Sequence, residues 1–172
     1  VSLVTFSSLD PVQQSRALLD KVNSLFQAER SLLFLLDKSG NLQFNLGRDS
    51  KGSDLVQPDS FSRTILTKVV TSKTTIVAAN TEEGVLLGAH SVVAKNLLSM
   101  MAAPVMLGDL VLGVLYLDNR VENKFYRNED GNFLQALTAH IGSILQITKL
   151  ANLEIEKGNL QKDLELTAAV QK

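Results

Sequence analysis

The sequence predicts one α+β domain with a central antiparallel sheet and a long C-terminal helix. Three observations predict this class: two pairs of short apolar segments joined by turn residues, amphipathic segments with helical spacing, and a leucine repeat near the C-terminus. A chain of 172 residues can bury a sufficient core without a metal or a disulfide.

Composition excludes several classes of function. Lys and Arg total 17 against 18 Asp and Glu, so the chain lacks the basic excess that is typical of proteins that bind nucleic acids. The chain has no cysteine, which excludes disulfides, thiolate nucleophiles and thioether-linked pigments. No apolar run approaches the ~20 residues of a membrane helix. The start lacks methionine and a basic signal region, so we expect a piece of a longer cytoplasmic protein.

The N-terminal half predicts a helix followed by a hairpin. We expect residues 1–9 to be a short N-terminal arm, either a strand or disordered, and Asp10 to cap a helix that has Pro11 at its first position. An apolar stripe follows at helical spacing: Val12, Leu18, Leu19, Val22, Leu25 and Phe26. The next apolar segment predicts a buried strand, and turn residues then lead to an alternating strand with Leu42, Phe44 and Leu46 on one face.

The middle of the chain predicts a second helix and a second hairpin. Asp59 or Ser60 caps a helix that runs to about Val70, and a short strand follows at 74–77. Residues 80–95 have no clear period and predict a long loop. Two long apolar runs joined by Gly108 and Asp109 predict a hairpin in the middle of the sheet. One face of its second strand carries Leu110, Leu112, Val114 and Tyr116, and the other carries Val111, Leu115 and Leu117.

The C-terminal part predicts one continuous helix. Asn128 caps it, and Glu129 and Asp130 favour its positive N-terminus. Its core face ends near residue 148, and a heptad seam continues over 149–172 with Leu150, Leu153, Leu160 and Leu164. These leucines, with Val12, Leu19 and Val22 of the first helix, exceed what one sheet face covers. We therefore expect a homodimer through both helices, with a covalently linked output domain downstream.

Three local patterns together resemble the GAF domain, a small-molecule sensor module of signalling proteins. The first is Met101-Ala102-Ala103-Pro104-Val105, followed by Gly108, Gly113 and a strand that ends in Asp118. The second is Phe125 before Glu129-Asp130 and an apolar helix, and the third is a leading helix that runs into the first strand. The resemblance covers residues 10–148. Residues 159–171 resemble the linker helix before bacterial metal-dependent Ser/Thr phosphatase domains, and linkers before cyclase domains are similar.

The resemblance implies a sheet with helices on one face and a ligand cavity under loops on the other. Its implied apolar lining is Phe61, Leu66, Val92, Met100, Met101, Ala103, Val105, Leu115 and Tyr116, with Ser91, Ser99, Asp118 and the loop residue His90 as polar groups. Such a lining suits a small apolar or aromatic ligand. Haem would need His90 or His140, and we expect neither haem nor another fixed cofactor. Cyclic-nucleotide binding stays a lesser alternative, because Asn123-Lys124-Phe125 lacks the family's spacer.

The resemblance thus predicts a cytoplasmic, non-catalytic sensor and dimerisation module that biases a downstream signalling enzyme, with no nucleic acid and no membrane. Enzymatic GAF domains reduce free methionine sulfoxide with a thiolate, which this chain lacks. The competing hypothesis is a structural dimerisation spacer whose core is filled.

Overall fold

A computed structural model describes residues 11–58, 61–79, 99–119 and 126–146. Three helices and five strands lie in these ranges. In chain order they are α1 (Pro11–Phe26), β1 (Arg30–Leu36), β2 (Leu42–Asp49), α2 (Arg63–Ser72), β3 (Ile76–Ala79), β4 (Ser99–Leu107), β5 (Leu110–Asn119) and α3, whose described part is residues 128–146. The predicted α+β class is confirmed.

The five strands form one antiparallel sheet in the order β2-β1-β5-β4-β3. The two predicted hairpins, β1–β2 and β4–β5, are both present. The strands β1 and β5 pair along most of their length and form the centre of the sheet, with β2 and β3 at its edges. This order places the apolar β5 between two neighbours, which is why it reads as a nearly continuous apolar run.

Helices cover both faces of the sheet, so the expectation of helices on one face needs correction. On the first face, which we call the two-helix face, Leu33 and Leu115 pack in one cluster with Leu19 of α1 and Leu134 of α3. On the second, the α2 face, a separate cluster holds Leu32, Phe34, Val114 and Tyr116 with Ile65, Leu66 and Val69 of α2. The alternation of a strand serves both clusters at once, because successive side chains point to opposite faces.

Two β-bulges reverse faces that strict alternation assigns wrongly. One shift in register, between Leu33 and Phe34 of β1, leaves Asn45 of β2 unpaired. As a result, Phe44 packs in the cluster of the α2 face, whereas Leu46 packs on the two-helix face. A second shift leaves Leu112 unpaired, and Leu112 packs with Leu115 and Leu117 instead of Val114 and Tyr116. An extra residue in one strand moves every later side chain to the opposite face.

Glycines allow two very close approaches of main chain. A Cβ on Gly113 would lie 2.0 Å from the carbonyl oxygen of Phe34, and a Cβ on Gly142 would lie 2.3 Å from that of Met106. The first contact lies between the central strands, and the second brings α3 close to β4.

Pro104 lies in β4 at a position that the sheet tolerates. The pairing of β4 with β3 stops at Ala102, and the β4–β5 bulge follows directly after Val105. A proline is tolerated in such a position because fewer ladder bonds require its missing donor.

Both later helices begin at other residues than the sequence predicts. The N-cap of α2 is Ser62, whose hydroxyl accepts a hydrogen bond from the amide of Ile65, rather than Asp59 or Ser60. Asn128 is already helical, and the Asp130 carboxylate accepts from the amide of Arg127 at 2.8 Å. In α2 the Ser62 hydroxyl satisfies a free backbone amide of the first turn, and in α3 the Asp130 carboxylate satisfies the amide of Arg127.

Several predictions fall outside the described residues. These are the arm at 1–9, the loop at 80–95 with His90, Ser91 and Val92, and the coiled coil at 149–172 with Leu150, Leu153, Leu160 and Leu164. They stay predictions.

Candidate ligand-binding groove

A groove of about 790 Å³ lies on the α2 face, between α2 and the β1–β2 hairpin. Ile65 and Val69 of α2 are buried against the sheet, and within the described ranges no helix covers the outer part of β1 and β2. The groove is lined by Phe34, Leu36, Gly40, Asn41, Leu42, Gln43, Phe44, Val56, Gln57, Pro58, Phe61, Arg63, Leu66, Thr67, Val70 and Thr71. Its volume is within the range of small-molecule pockets, ~300–1,000 Å³.

Aromatic rings form one wall of the groove. The rings of Phe34 and Phe44 lie 5.9 Å apart, and those of Phe34 and Phe61 lie 5.0 Å apart, both in tilted or edge-on geometry. Phe61 also contacts Tyr116 at 6.5 Å, and the guanidinium carbon of Arg63 lies 5.6 Å from the centre of the Phe61 ring. Phe61 therefore joins the buried aromatic core to a cation at the rim.

The hairpin turn fixes the rim on the β2 side. The Asp37 carboxylate accepts hydrogen bonds from the amides of Ser39 and Asn41, both at 2.9 Å, and from the Gln43 side chain at 3.1 Å. These bonds, chiefly the one from the Asn41 amide, lower the pKa of Asp37. Gly40 takes φ +81°, which a side chain rarely adopts. The turn thus holds Asn41 and Gln43 in place beside the groove.

An ion-pair network lies next in the chain to the segment that supplies Val56, Gln57 and Pro58 to the groove. Asp54 binds Arg16 of α1 at 2.6 Å and Arg48 of β2 at 2.7 Å, and Arg48 also binds Asp20 of α1 at 2.8 Å. Hydrogen bonds from Arg16, and then from Arg48, lower the pKa of Asp54 to about 2. Two residues further on, Val56 begins the segment that lines the groove. The network therefore links α1 to the groove.

The structure separates the predicted lining residues into two groups. Phe61, Leu66, Met100 and Tyr116 lie on the α2 face, and Phe61 and Leu66 line the groove. Another group, Met101, Ala103, Val105 and Leu115, is fully buried in the cluster of the two-helix face. These two groups lie on opposite faces of the sheet, so the described residues do not bring them together in one cavity.

Asp118, predicted as a polar group for a ligand, binds inside the protein instead. Both of its carboxylate oxygens accept from Arg30, directly across the strand pair, with the shortest contact at 2.7 Å. The Tyr116 hydroxyl also donates to Asp118 at 2.8 Å. Burial, and then the charge of Asp118, raise the pKa of Tyr116. For Arg30, burial opposes the charged form, but the bonds and charge of Asp118 outweigh it and raise the pKa.

Ser99 is likewise committed within the fold. It is fully buried, and its hydroxyl accepts a hydrogen bond from the amide of Tyr126 at 2.9 Å. This bond ties the start of β4 to the segment that enters α3. Ser99 therefore has a structural role that its position in the sequence does not reveal.

The predicted dimer residues of α1 also differ in their surroundings. Val12 is 53% exposed and is available to a partner. Leu19 and Val22, by contrast, are buried in the subunit's own core, against the two-helix face. This part of the α1 stripe is covered within the subunit because α3 packs beside it, whereas Val12 and Leu25 stay exposed.

The groove includes aromatic residues that sequence reasoning assigned only to strands. Phe34 and Phe44 become neighbours of Phe61 through the strand register, which depends on the bulge at Asn45. Arg63, at the start of α2, lies over the Phe61 ring. The only advance signal is the spacing Phe61-x-Arg63 at a helix start. Among the described residues, no group of three His, Asp or Glu side chains is placed to hold a metal, and His140 is exposed on α3.

Several solved structures of GAF domains share this architecture. The GAF domain of a phosphoenolpyruvate-protein phosphotransferase from Acinetobacter superposes with a TM-score of 0.64 at 14% identity, over 87% of this chain and 91% of that chain. The GAF domain of a two-component sensor histidine kinase from Bacillus halodurans gives 0.56 at 18% identity, over 88% and 98%. GAF3 of Slr1393 from Synechocystis sp. PCC6803, in its photoproduct state, gives 0.60 at 14% identity, over 84% and 99%. A comparison with curated proteins gives no match.

The fold defines the class of protein: an α+β domain with a five-stranded antiparallel sheet and helices on both faces, as in these solved structures. The sequence profile of the GAF domain family matches residues 10–145, and this chain therefore belongs to the GAF domain family. At these identities the solved structures establish the fold alone. Within the described residues, none of the helices combines the length and the apolar character needed to span a bilayer.

Proposed function

We propose that this GAF domain is a non-catalytic, cytoplasmic sensor that binds a small molecule in the groove between α2 and the β1–β2 hairpin. The observation that supports this most directly is the groove itself: about 790 Å³ with an aromatic wall. On the opposite face, the described part of α1 and α3 encloses a space of about 10 Å³. Between these two described spaces, the groove is the one with room for a small molecule.

A bound ligand regulates only if it binds two conformations with different affinity. The segment from Val56 to Pro58 lines the groove, and Asp54 next to it is held by Arg16 of α1. A ligand that displaces this segment changes the environment of α1. We propose that α1 and the predicted coiled coil at 149–172 pass this change to a linked output domain, a phosphatase or a cyclase, within a homodimer. Sedimentation of the 172-residue chain tests the dimer, and a monomer at tens of micromolar contradicts it.

A fragment screen by ¹H–¹⁵N NMR tests the groove as a binding site. Fragments that bind there should shift the amides of Gly40, Gln43 and Thr71 and leave those of Gly113 and Gly142 unchanged. Thr67→Trp places an indole in the groove and should abolish these shifts.

Lys68→Trp is the matched control, because Lys68 is exposed on the same helix but does not line the groove. It should bind the same fragments as the wild type. If no fragment shifts the groove amides, the structural dimerisation spacer becomes the better hypothesis. A fragment that binds the Thr67→Trp and wild-type proteins equally well would also contradict the proposed site.

A further inference from the structure

Among the residues that the structure describes, one side chain gives the groove its charge. Among the described lining residues, Arg63 alone is charged, and no carboxylate is present. Three other arginines are each paired with a carboxylate: Arg16 and Arg48 bind Asp54, and Arg30 binds Asp118. Arg63 instead lies over the ring of Phe61. The electrostatic character of the described groove is therefore cationic.

The neutral polar groups of the groove do not offset this charge. The hydroxyls of Thr67 and Thr71 donate to carbonyl oxygens one turn earlier in α2, at 3.0 and 2.9 Å. The Gln43 amide donates to Asp37. Of these groups, the threonine oxygens cannot neutralise a ligand's positive charge, and an ammonium group would meet Arg63 with no acid beside it in the described lining.

The shape of the wall adds a second preference. Phe34, Phe44 and Phe61 form tilted pairs, and a planar ring of a ligand can extend this series at the usual offset or edge-on geometry. The guanidinium of Arg63 is planar and can give two parallel hydrogen bonds to a carboxylate. The guanidinium carbon lies 5.6 Å from the centre of the Phe61 ring, so its positive charge is beside the aromatic wall of the groove.

On the basis of the proposed function, we infer that the groove takes a planar aromatic anion, with the ring on the phenylalanine wall and the acid on Arg63. The inference is about one chemical class, a small aromatic carboxylate. It does not extend to a particular metabolite. The ring provides apolar burial and the carboxylate provides selectivity by charge.

Three naphthalene derivatives of similar shape separate charge from ring stacking. They are 1-naphthoate, the neutral 1-naphthamide and the cationic 1-naphthylmethylammonium, each titrated calorimetrically into the full chain. We expect naphthoate to bind about tenfold more tightly than the amide, and the ammonium to bind least. Equal affinity for all three, or a preference for the ammonium, overturns the inference.

Substitutions at Arg63 then locate the selectivity. Arg63→Gln should lower the affinity for naphthoate to that for the amide, and leave the amide unchanged. Arg63→Lys should give an intermediate value, because lysine keeps the charge but loses the planar donors. Lys68→Gln, on the same helix outside the lining, should bind naphthoate as the wild type does. Unchanged naphthoate affinity in Arg63→Gln contradicts the assignment.

Failure of this inference differs from failure of the proposed function. If none of the three naphthalenes binds, the aromatic anion class is wrong. In that case, fragments of another class that shift the groove amides still support a sensor. If neither the naphthalenes nor any fragment shifts those amides, the proposed function fails as well.

Discussion

The two faces of this sheet differ in how completely helices cover them. On the two-helix face, α1 and α3 fill the space, and Gly142 lets α3 approach the main chain of β4. On the α2 face, the described residues provide one helix of 10 residues, which covers the middle of the sheet, and among these residues the β1–β2 side stays open. Both faces use the same strands. The difference shows that the space for a ligand depends on helix coverage, because strand residues alternate equally toward both faces.

The largest expected effect on stability comes from adding a single methyl group on the two-helix face. In Gly142→Ala the added Cβ would lie 2.3 Å from the Met106 carbonyl oxygen, so α3 has to move away from β4. We expect a loss of about 2 kcal/mol or more in the free energy of unfolding, measured by urea titration. Ser143→Ala, an exposed neighbour, should change it by less than about 0.5 kcal/mol. An equal effect of the two would show that the face is not closely packed.

Two buried tyrosines, one in the cluster of each face, give a matched comparison. The hydroxyl of Tyr116, on the α2 face, donates to the buried Asp118 carboxylate, so Tyr116→Phe should cost about 2 kcal/mol. The hydroxyl of Tyr126, on the two-helix face, is buried without a hydrogen-bond partner in the described structure. Tyr126→Phe should therefore be neutral or stabilising. Urea titration of both variants checks this, and a greater loss in Tyr126→Phe would reverse the interpretation.

A smaller effect, dependent on pH, should come from the network that connects α1 with the groove rim. The pKa of Asp54 is about 2 in the folded chain, below its ordinary value of 3.8, because Arg16 and Arg48 stabilise the carboxylate. Its contribution to stability is therefore present above about pH 4 and is lost as the pH falls through about 2. Urea midpoints of the wild type and Asp54→Asn should differ at pH 6 and converge near pH 2.

The difference between these two proteins isolates Asp54, because their other carboxylates are the same. A difference that stays constant from pH 6 to pH 2 would contradict the role of its charge. Salt should also reduce the difference at pH 6, since the pairs with Arg16 and Arg48 are partly exposed.

Much of the fold could be predicted from local patterns. The start of α1 at Pro11, both hairpins and the apolar β5 follow from helix spacing, turn residues and uninterrupted apolar runs. The three patterns that resemble the GAF domain also identified the family, which the match over residues 10–145 confirms. These features are set by residues that are near each other in the chain.

The candidate site could be predicted only in part. Phe61 and Leu66 do line the groove, whereas Met101, Ala103 and Val105 lie in the core of the other face. The family pattern could not separate these two groups, because it names strands without fixing which alternate residues face which layer. The sequence also does not show that Arg30 lies directly across the strand pair from Asp118 and binds its carboxylate.

The sequence by itself determined the helix that starts at Pro11, the two strand hairpins and the family. Its lack of cysteine also excluded thiol chemistry. Only the tertiary structure decided that α2 lies opposite α1 and α3, that Asn45 and Leu112 form bulges, and that Arg63 meets Phe61 beside a groove. The physical reason is distance along the chain. Periodicity and turn preference act over a few residues, whereas the face that a side chain occupies depends on register and helix packing between segments that are far apart in sequence.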